Sequence, residues 1–192
     1  MTNALVIVAH PDDETIWCGG TIIRNKGWDW TAICMCRAGD ADRRPKFERV
    51  CGELGAKHYI FDLDDESPEK KLKSLDEITS RLEFLRGKKF DKLFTHGSNG
   101  EYGHNRHIET HKAIKKLIDL NFIGAGEIFS FSYLRKEMPL RCLPNMKAGT
   151  LVILSREEFN MKRRLISELY GFGRASFEYL SCSEIESFDR WG

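Results

Sequence analysis

Six side chains in two short stretches hold the chemistry open to this sequence. They are His10, Asp12 and Asp13 in AHPDDE (9–14), and His104, His107 and His111 in GHNRHIETH (103–111). A catalytic divalent-metal site needs about three protein ligands drawn from His, Asp, Glu or Cys, with one position left open for water. His10, Asp13 and His107 can supply two imidazoles and a carboxylate. Water on such an ion is acidified and becomes a nucleophile near neutral pH. Asp12 neighbours Asp13 in a turn where the two side chains can diverge, so one can bind metal while the other takes the water's proton. His104, one helical turn from His107, is placed to donate to a developing oxyanion or to a leaving nitrogen. The parts of a metal-assisted amide hydrolysis are all present.

Each residue also has an ordinary structural reading. An Asp-Asp pair after a strand often only caps a helix. A histidine at a helix start is often a cap or simply exposed, and HxxH alone is a weak signal. Gly97, Gly100 and Gly103 can be turn formers. These readings weaken in combination, because they need separate explanations for two polar clusters far apart in sequence. Four of the six histidines fall within residues 96–111. His58 reads as incidental, and His111 as structural or as a support for a ligand.

The elements that must position these groups can be read from the pattern. Residues 4–9, ALVIVA, form a continuous apolar run suited to a strand covered on both faces. A helix from Thr15 to Asn25 closes at Gly27, a strand follows over 28–36, and a helix over roughly 44–54 ends at Gly55. HYIFDL is a third strand. Leu72, Leu75, Ile78, Leu82 and Leu85 are spaced as one face of a helix over about 69–87. Further strands are expected at 91–96, 127–133 and 151–155, the last of the series. Helices are expected at 105–119 and, closing the chain, at 156–171. Strands alternating with helices predict an α/β fold, a Rossmann-like three-layer sandwich with a mostly parallel sheet. In such sheets ligands bind beyond the carboxyl ends of the strands, and His10 and His96 both lie there. The basic run at 160–164 reads as a solvated helix face.

The length of 192 residues suits one domain, 1–192, with one substantial core. Apolar residues make up 41% and charged residues 31%, as in a soluble globular chain. Thirty basic against 29 acidic residues leave a formal charge of +1, which predicts no nucleic-acid binding and no attraction to membranes. The six cysteines form no C-x-x-C pair, so reduced thiols and a cytoplasmic location are expected. MTNALVIVAH lacks the basic start of a signal peptide, and no apolar stretch is long enough to span a bilayer. A homo-oligomer is compatible with the sequence.

AHPDDE, with Gly19-Gly20 after it, and the run from His96 to His111 resemble the two motifs of the PIG-L/LmbE family of zinc-dependent N-deacetylases. The resemblance extends from the first strand to the last helix. It implies a hydrolase that removes the acetyl group from an N-acetylated amino sugar or its conjugate, a small-molecule substrate. It makes His10, Asp13 and His107 the ligands of one Zn2+ per chain, a set that Fe2+ can also occupy. Asp12 becomes the general base. His104, charged, becomes the group that steadies the intermediate or protonates the amine. Arg43, with Arg44 as the alternative, matches an arginine that holds the sugar, and Asp64 matches an acidic residue that contacts its hydroxyls. Many bacterial members read GHPDH where this chain reads GHNRH, so Asn105 and Arg106 depart from the pattern. Helical spacing predicts that Arg106 points away from His104 and His107. The stretch 134–149 reads as a short lid or rim.

Other functions remain open from the residues. The same site would serve an ester or a thiol-conjugate amide. A non-catalytic carbohydrate-binding relative would be expected to lack a ligand or the base, and none is missing. A nucleotide-binding protein would want a glycine-rich phosphate loop after the first strand; the carboxylates of HPDD would repel phosphate there.

Overall fold

The first strand, β1 (Asn3–Val8), shows why the fold has three layers. Ala4, Val6 and Val8 join one apolar cluster, while Leu5 and Ile7 join another on the opposite face. Each buried aliphatic side chain stabilises the fold by roughly 1.5–3 kcal/mol, so covering both faces of this strand is a large driving force. The computed structural model, which describes residues 1–67 and 69–191, builds both layers from alternating elements. Helix α1 (Asp13–Arg24), β2 (Asp29–Cys36), α2 (Arg43–Leu54) and β3 (Lys57–Leu63) follow β1. Gly55 ends α2 at φ 71, a left-handed value that glycine adopts without strain. A short α3 (Asp76–Thr79) runs into a 3-10 turn at Ser80–Leu85 and then β4 (Lys89–Thr95). Next come a single turn α4 (Gly100–Gly103), helix α5 (Asn105–Asp119) and β5 (Gly124–Phe131).

The sheet has seven strands in the order β3-β2-β1-β4-β5, continued by β9 (Ile185–Arg190) and β8 (Thr150–Ile153). The first five are parallel, and β9 and β8 pair antiparallel. The chain therefore has the mostly parallel α/β architecture expected. Strand order reverses between β1 and β4, and there the crevice at the carboxyl ends opens. One apolar layer holds Trp17, Phe47 and Ile166. The other holds Ile78, Ala113 and Ile114.

Three elements differ from expectation. The helix over 69–87 shrinks to α3 and the 3-10 turn; Ile78, Leu82 and Leu85 are buried, but Leu72 packs from a loop. The segment 134–149 is mostly a two-stranded hairpin, β6 (Tyr133–Glu137) and β7 (Leu140–Pro144), with Met138 at its exposed tip. The closing helix is α6 (Arg156–Arg164) plus a π-turn at Leu165–Leu169; α7 (Phe177–Ser181) and β9 lie beyond it.

The basic run is not a solvated face throughout, because Lys162 is fully buried. Its Nζ donates to Glu186 Oε1 at 2.7 Å, and Glu186 also accepts from the backbone N–H groups of Gly20 and Thr21 in α1. This ion pair ties α6, β9 and α1 together inside the sandwich. Lys162→Met is expected to lower stability by about 3–5 kcal/mol, since Glu186 keeps a buried, uncompensated charge. Urea unfolding checks this, and K162M/E186Q is expected to recover much of the loss.

Candidate metal centre

His10 follows β1, and Asp12 and Asp13 begin α1. Asp12 stands at the helix N-cap position, but its side chain does not cap. Its backbone carbonyl accepts from Thr15 and Ile16, and its φ of 116 turns the carboxylate into the crevice. Such backbone values cost a non-glycine residue about 1–3 kcal/mol. Arg37 (φ 75) and Glu101 (φ 58) carry the same kind of strain at the same site.

His107 reaches the crevice from the first turn of α5, after β4. His10 Nδ1 lies 3.1 Å from His107 Nε2 and 3.3 Å from Asp13 Oδ2, and His107 Nε2 lies 3.3 Å from Asp13 Oδ2. Donor atoms about 2.0–2.1 Å from a tetrahedral ion stand about 3.3–3.4 Å apart. Three lone-pair atoms converging at that spacing fit a divalent cation, and these residues could hold one.

Each of the three is held from behind. Trp17 Nε1 donates to Asp13 Oδ1 at 2.8 Å, leaving Oδ2 toward the imidazoles. His107 Nδ1 donates to Glu101 Oε2 at 2.5 Å, which frees Nε2. His10 Nε2 lies 3.1 Å from Asp65 Oδ2, at an angle short of a full hydrogen bond. Partners of this kind set tautomer and orientation in metal sites. Burial works to raise Glu101, but His96 and His107 outweigh it and hold its carboxyl at about 2. Burial likewise opposes the imidazoles around Asp13, which still hold that carboxyl well below the ordinary range.

His96 is close by, but its nitrogens are engaged. Nε2 accepts from the Ala9 N–H at 2.8 Å, and Nδ1 faces Glu101 at 2.8 Å. His104 caps α5, its Nδ1 accepting from the Arg106 N–H at 3.3 Å. The neutral ring therefore carries its proton on Nε2. Burial and the neighbouring His107 and His10 hold its pKa down at about 3, so the ring is neutral in this geometry rather than charged as expected.

Arg43 NH1 donates to Asp12 Oδ2 at 2.6 Å, and its guanidinium lies 4.8 Å from the Phe172 ring centre. Burial and the nearby Asp13 push Asp12 well above the usual carboxylate range, with Arg43 opposing. Arg44 turns outward to Glu48. A pocket of about 260 Å³ is lined by His10, Asp12, Asp13, Arg43 and His104, with Tyr102, Phe177 and Glu178 also on its wall. Asp64 is not among its walls; the residue placed there is its neighbour Asp65. Arg106 points away from both histidines and is buried against Glu109. His111 Nδ1 donates to the His96 carbonyl at 2.8 Å, behind the site. Residues 134–149 do not line the pocket; Phe177 and Glu178 of α7 do.

Residues 5–118 match the model of the PIG-L family, the GlcNAc-PI de-N-acetylases, and the chain belongs to that family. An uncharacterized protein of Acanthamoeba polyphaga mimivirus is 31% identical over 148 residues, covering 68% of this chain. The chain spans only 62% of the length of that curated relative. N,N′-diacetylchitobiose deacetylase from Pyrococcus horikoshii shares the fold with a TM-score of 0.68 at 18% identity, over 98% of this chain and 83% of that one. The 4-carboxy-2-hydroxymuconate hydratase of Pseudomonas putida does so with a TM-score of 0.69 at 16% identity, over 99% and 96%.

Glu101→Gln is expected to weaken binding of a divalent ion about 10–100-fold, by loosening His107. Competition against a chelator on the folded protein measures this. Unchanged affinity would show that Glu101 does not orient the ligand.

Proposed function

We propose that the protein is a metal-dependent N-deacetylase that hydrolyses the acetamido group of an N-acetylated amino sugar or its conjugate, releasing acetate. The reading rests on the triangle of His10, Asp13 and His107 with the uncapped Asp12 beside it. A divalent ion held by His10, Asp13 and His107, zinc or iron(II), would polarise the amide carbonyl and acidify water.

The chain's own residues do the rest. Asp12 takes the proton of the attacking water, its carboxylate lining the pocket beside the three ligands. Arg43 fixes the carboxylate's position through the bond at 2.6 Å. His104 offers the Nε2–H to the carbonyl oxygen as negative charge gathers there. As the C–N bond breaks, the proton held by Asp12 passes to the departing nitrogen; the second proton of the water leaves with the acetic acid and passes on to the amine, giving an ammonium group and acetate. The rings of Tyr102 and Phe177, 4.8 Å apart between centres, offer an apolar wall to one face of a sugar. The pocket is smaller than the about 300–1,000 Å³ that encloses a drug-sized ligand. It suits the acetamido end of the substrate, with the remainder outside.

Asp12→Asn is expected to keep the metal and lose about 10²–10⁴-fold in kcat. His107→Ala is expected to lose the metal itself. Elemental analysis separates the two roles, and acetate release from a panel of N-acetylglucosamine derivatives reads the activity. Metal-loaded wild type that released acetate from none of the panel, but cleaved esters or thiol-conjugate amides, would redirect the reading to those substrates. An Asp12→Asn variant with most of its activity would remove the base assignment.

A further inference from the structure

The two residues where the second motif departs from GHPDH both turn to the loop after β3. Asn105 Nδ2 donates to the Glu69 carbonyl at 2.9 Å. Arg106 Nε donates to the Asp64 carbonyl at 2.5 Å, and its NH1 pairs with Glu109 Oε2 at 2.6 Å. Glu109 Oε1 in turn accepts from the Leu72 N–H at 2.7 Å. Asn105, Arg106 and Glu109, in the first two turns of α5, thus bond to residues 64, 69 and 72. Arg106 is 1% exposed, although it is a long cation that ordinarily keeps its head in water. Its place in the interior is explained by what it holds.

The held loop carries Asp65. Asp65 Oδ2 lies 3.1 Å from His10 Nε2 and accepts from Arg37 NH2 at 2.9 Å. Cys36 and Asp65 are the groups clustered with His10 on that side. Of the two, only the carboxylate is a strong acceptor for the Nε2–H; at 3.1 Å, though short of a full hydrogen bond, its charge favours the tautomer whose Nδ1 lone pair faces Asp13 and His107. Asp65 lies two residues beyond the end of β3, outside any strand or helix, so its carboxylate is only as well placed as the backbone around it.

We propose that Arg106, with Glu109 and Asn105, is a positioning clamp that sets the Asp65 carboxylate on His10 and so poises His10 for the metal. The clamp rests on the proposed metal-dependent reading and acts without touching substrate or ion. It gives the departure from GHPDH a function, because Asn105 and Arg106 supply two of the clamp's side chains.

The test measures affinity for Co2+ and the cobalt d–d spectrum on folded, metal-free protein. In R106M/E109Q the buried charge pair is removed without stranding a carboxylate, and the amide oxygen still accepts from Leu72. Asp65→Asn is expected to weaken Co2+ binding about 10–100-fold. R106M/E109Q is expected to weaken it about 10-fold, with an altered spectrum, and to add nothing in an Asp65→Asn background. Asn105→Ala, a milder change suited to the case where the double variant does not fold, is expected to weaken it about threefold and likewise to add nothing to Asp65→Asn. Folded clamp variants with wild-type affinity and spectrum, or effects that add to Asp65→Asn, overturn the clamp while leaving the deacetylase reading intact. A wild-type chain that bound no divalent ion would sink both.

Discussion

Three atoms able to ligate a cation are held within 3.3 Å of one another across the crevice between β1 and β4. They are His10 Nδ1, Asp13 Oδ2 and His107 Nε2, and two of them belong to residues 97 positions apart. Without a proton or cation among them their lone pairs would repel, and such an approach would be unfavourable. The surroundings enforce it all the same. Parallel pairing of β1 with β4 brings the two strand ends side by side, and the reversal of strand order opens the space between them. Trp17, Glu101 and Asp65 then hold the three donors from outside. Much of the local design serves this one convergence.

Strain is concentrated at the same place. Among the described residues, four that are not glycine have positive φ, and three of them line or support the site: Asp12, Arg37 and Glu101. Each is fastened by bonds a relaxed loop would not need. Asp12 is gripped by Arg43, Arg37 by Asp65, and Glu101 by the two imidazoles and the Gly97 N–H. A backbone cost of about 1–3 kcal/mol per residue survives only where the surroundings over-determine the conformation. For Asp12 the outcome is a carboxylate released from the capping its position would favour and delivered to the pocket.

The sequence exposed the groups at strand ends more fully than the groups behind them. The apolar run 4–9 and the helix 105–119 follow from local pattern, and His10, Asp13 and His107 from residue types that have few other reasons to cluster. Glu101 has no such signal, because a glutamate in a glycine-rich loop looks like surface charge until β4 and α5 fold it inward. Asp64 and Asp65 are indistinguishable by type, and only the turn after β3 decides which one faces His10. The helical spacing of 69–87 is real as burial, yet the segment is mostly loop and 3-10 turn, since Leu72 reaches the core without helical geometry. Strand β9 was hidden for another reason: it pairs antiparallel between β5 and β8, and its buried Glu186 breaks the apolar pattern.

Charge gives a last reason to read the convergence as a cation site. Four carboxylates stand around it, Asp12, Asp13, Asp65 and Glu101, and two guanidinium groups answer them, from Arg37 and Arg43. With neutral imidazoles, two negative charges are left in a region where all four carboxylates are largely withdrawn from water. Glu14 stands outside this count; burial pushes its carboxyl up to about 7, and the hydroxyls of Thr15 and Tyr170 engage it. Buried charge without compensation is among the costliest features a fold can carry. The metal-free site meets part of the deficit by drawing protons, as the upward pull on Asp12 and on His10 shows, the latter against the effect of its own burial. A divalent cation would supply the two missing charges directly. Asp12 would then be free to exchange a proton with water and amine rather than hold one to balance its neighbours.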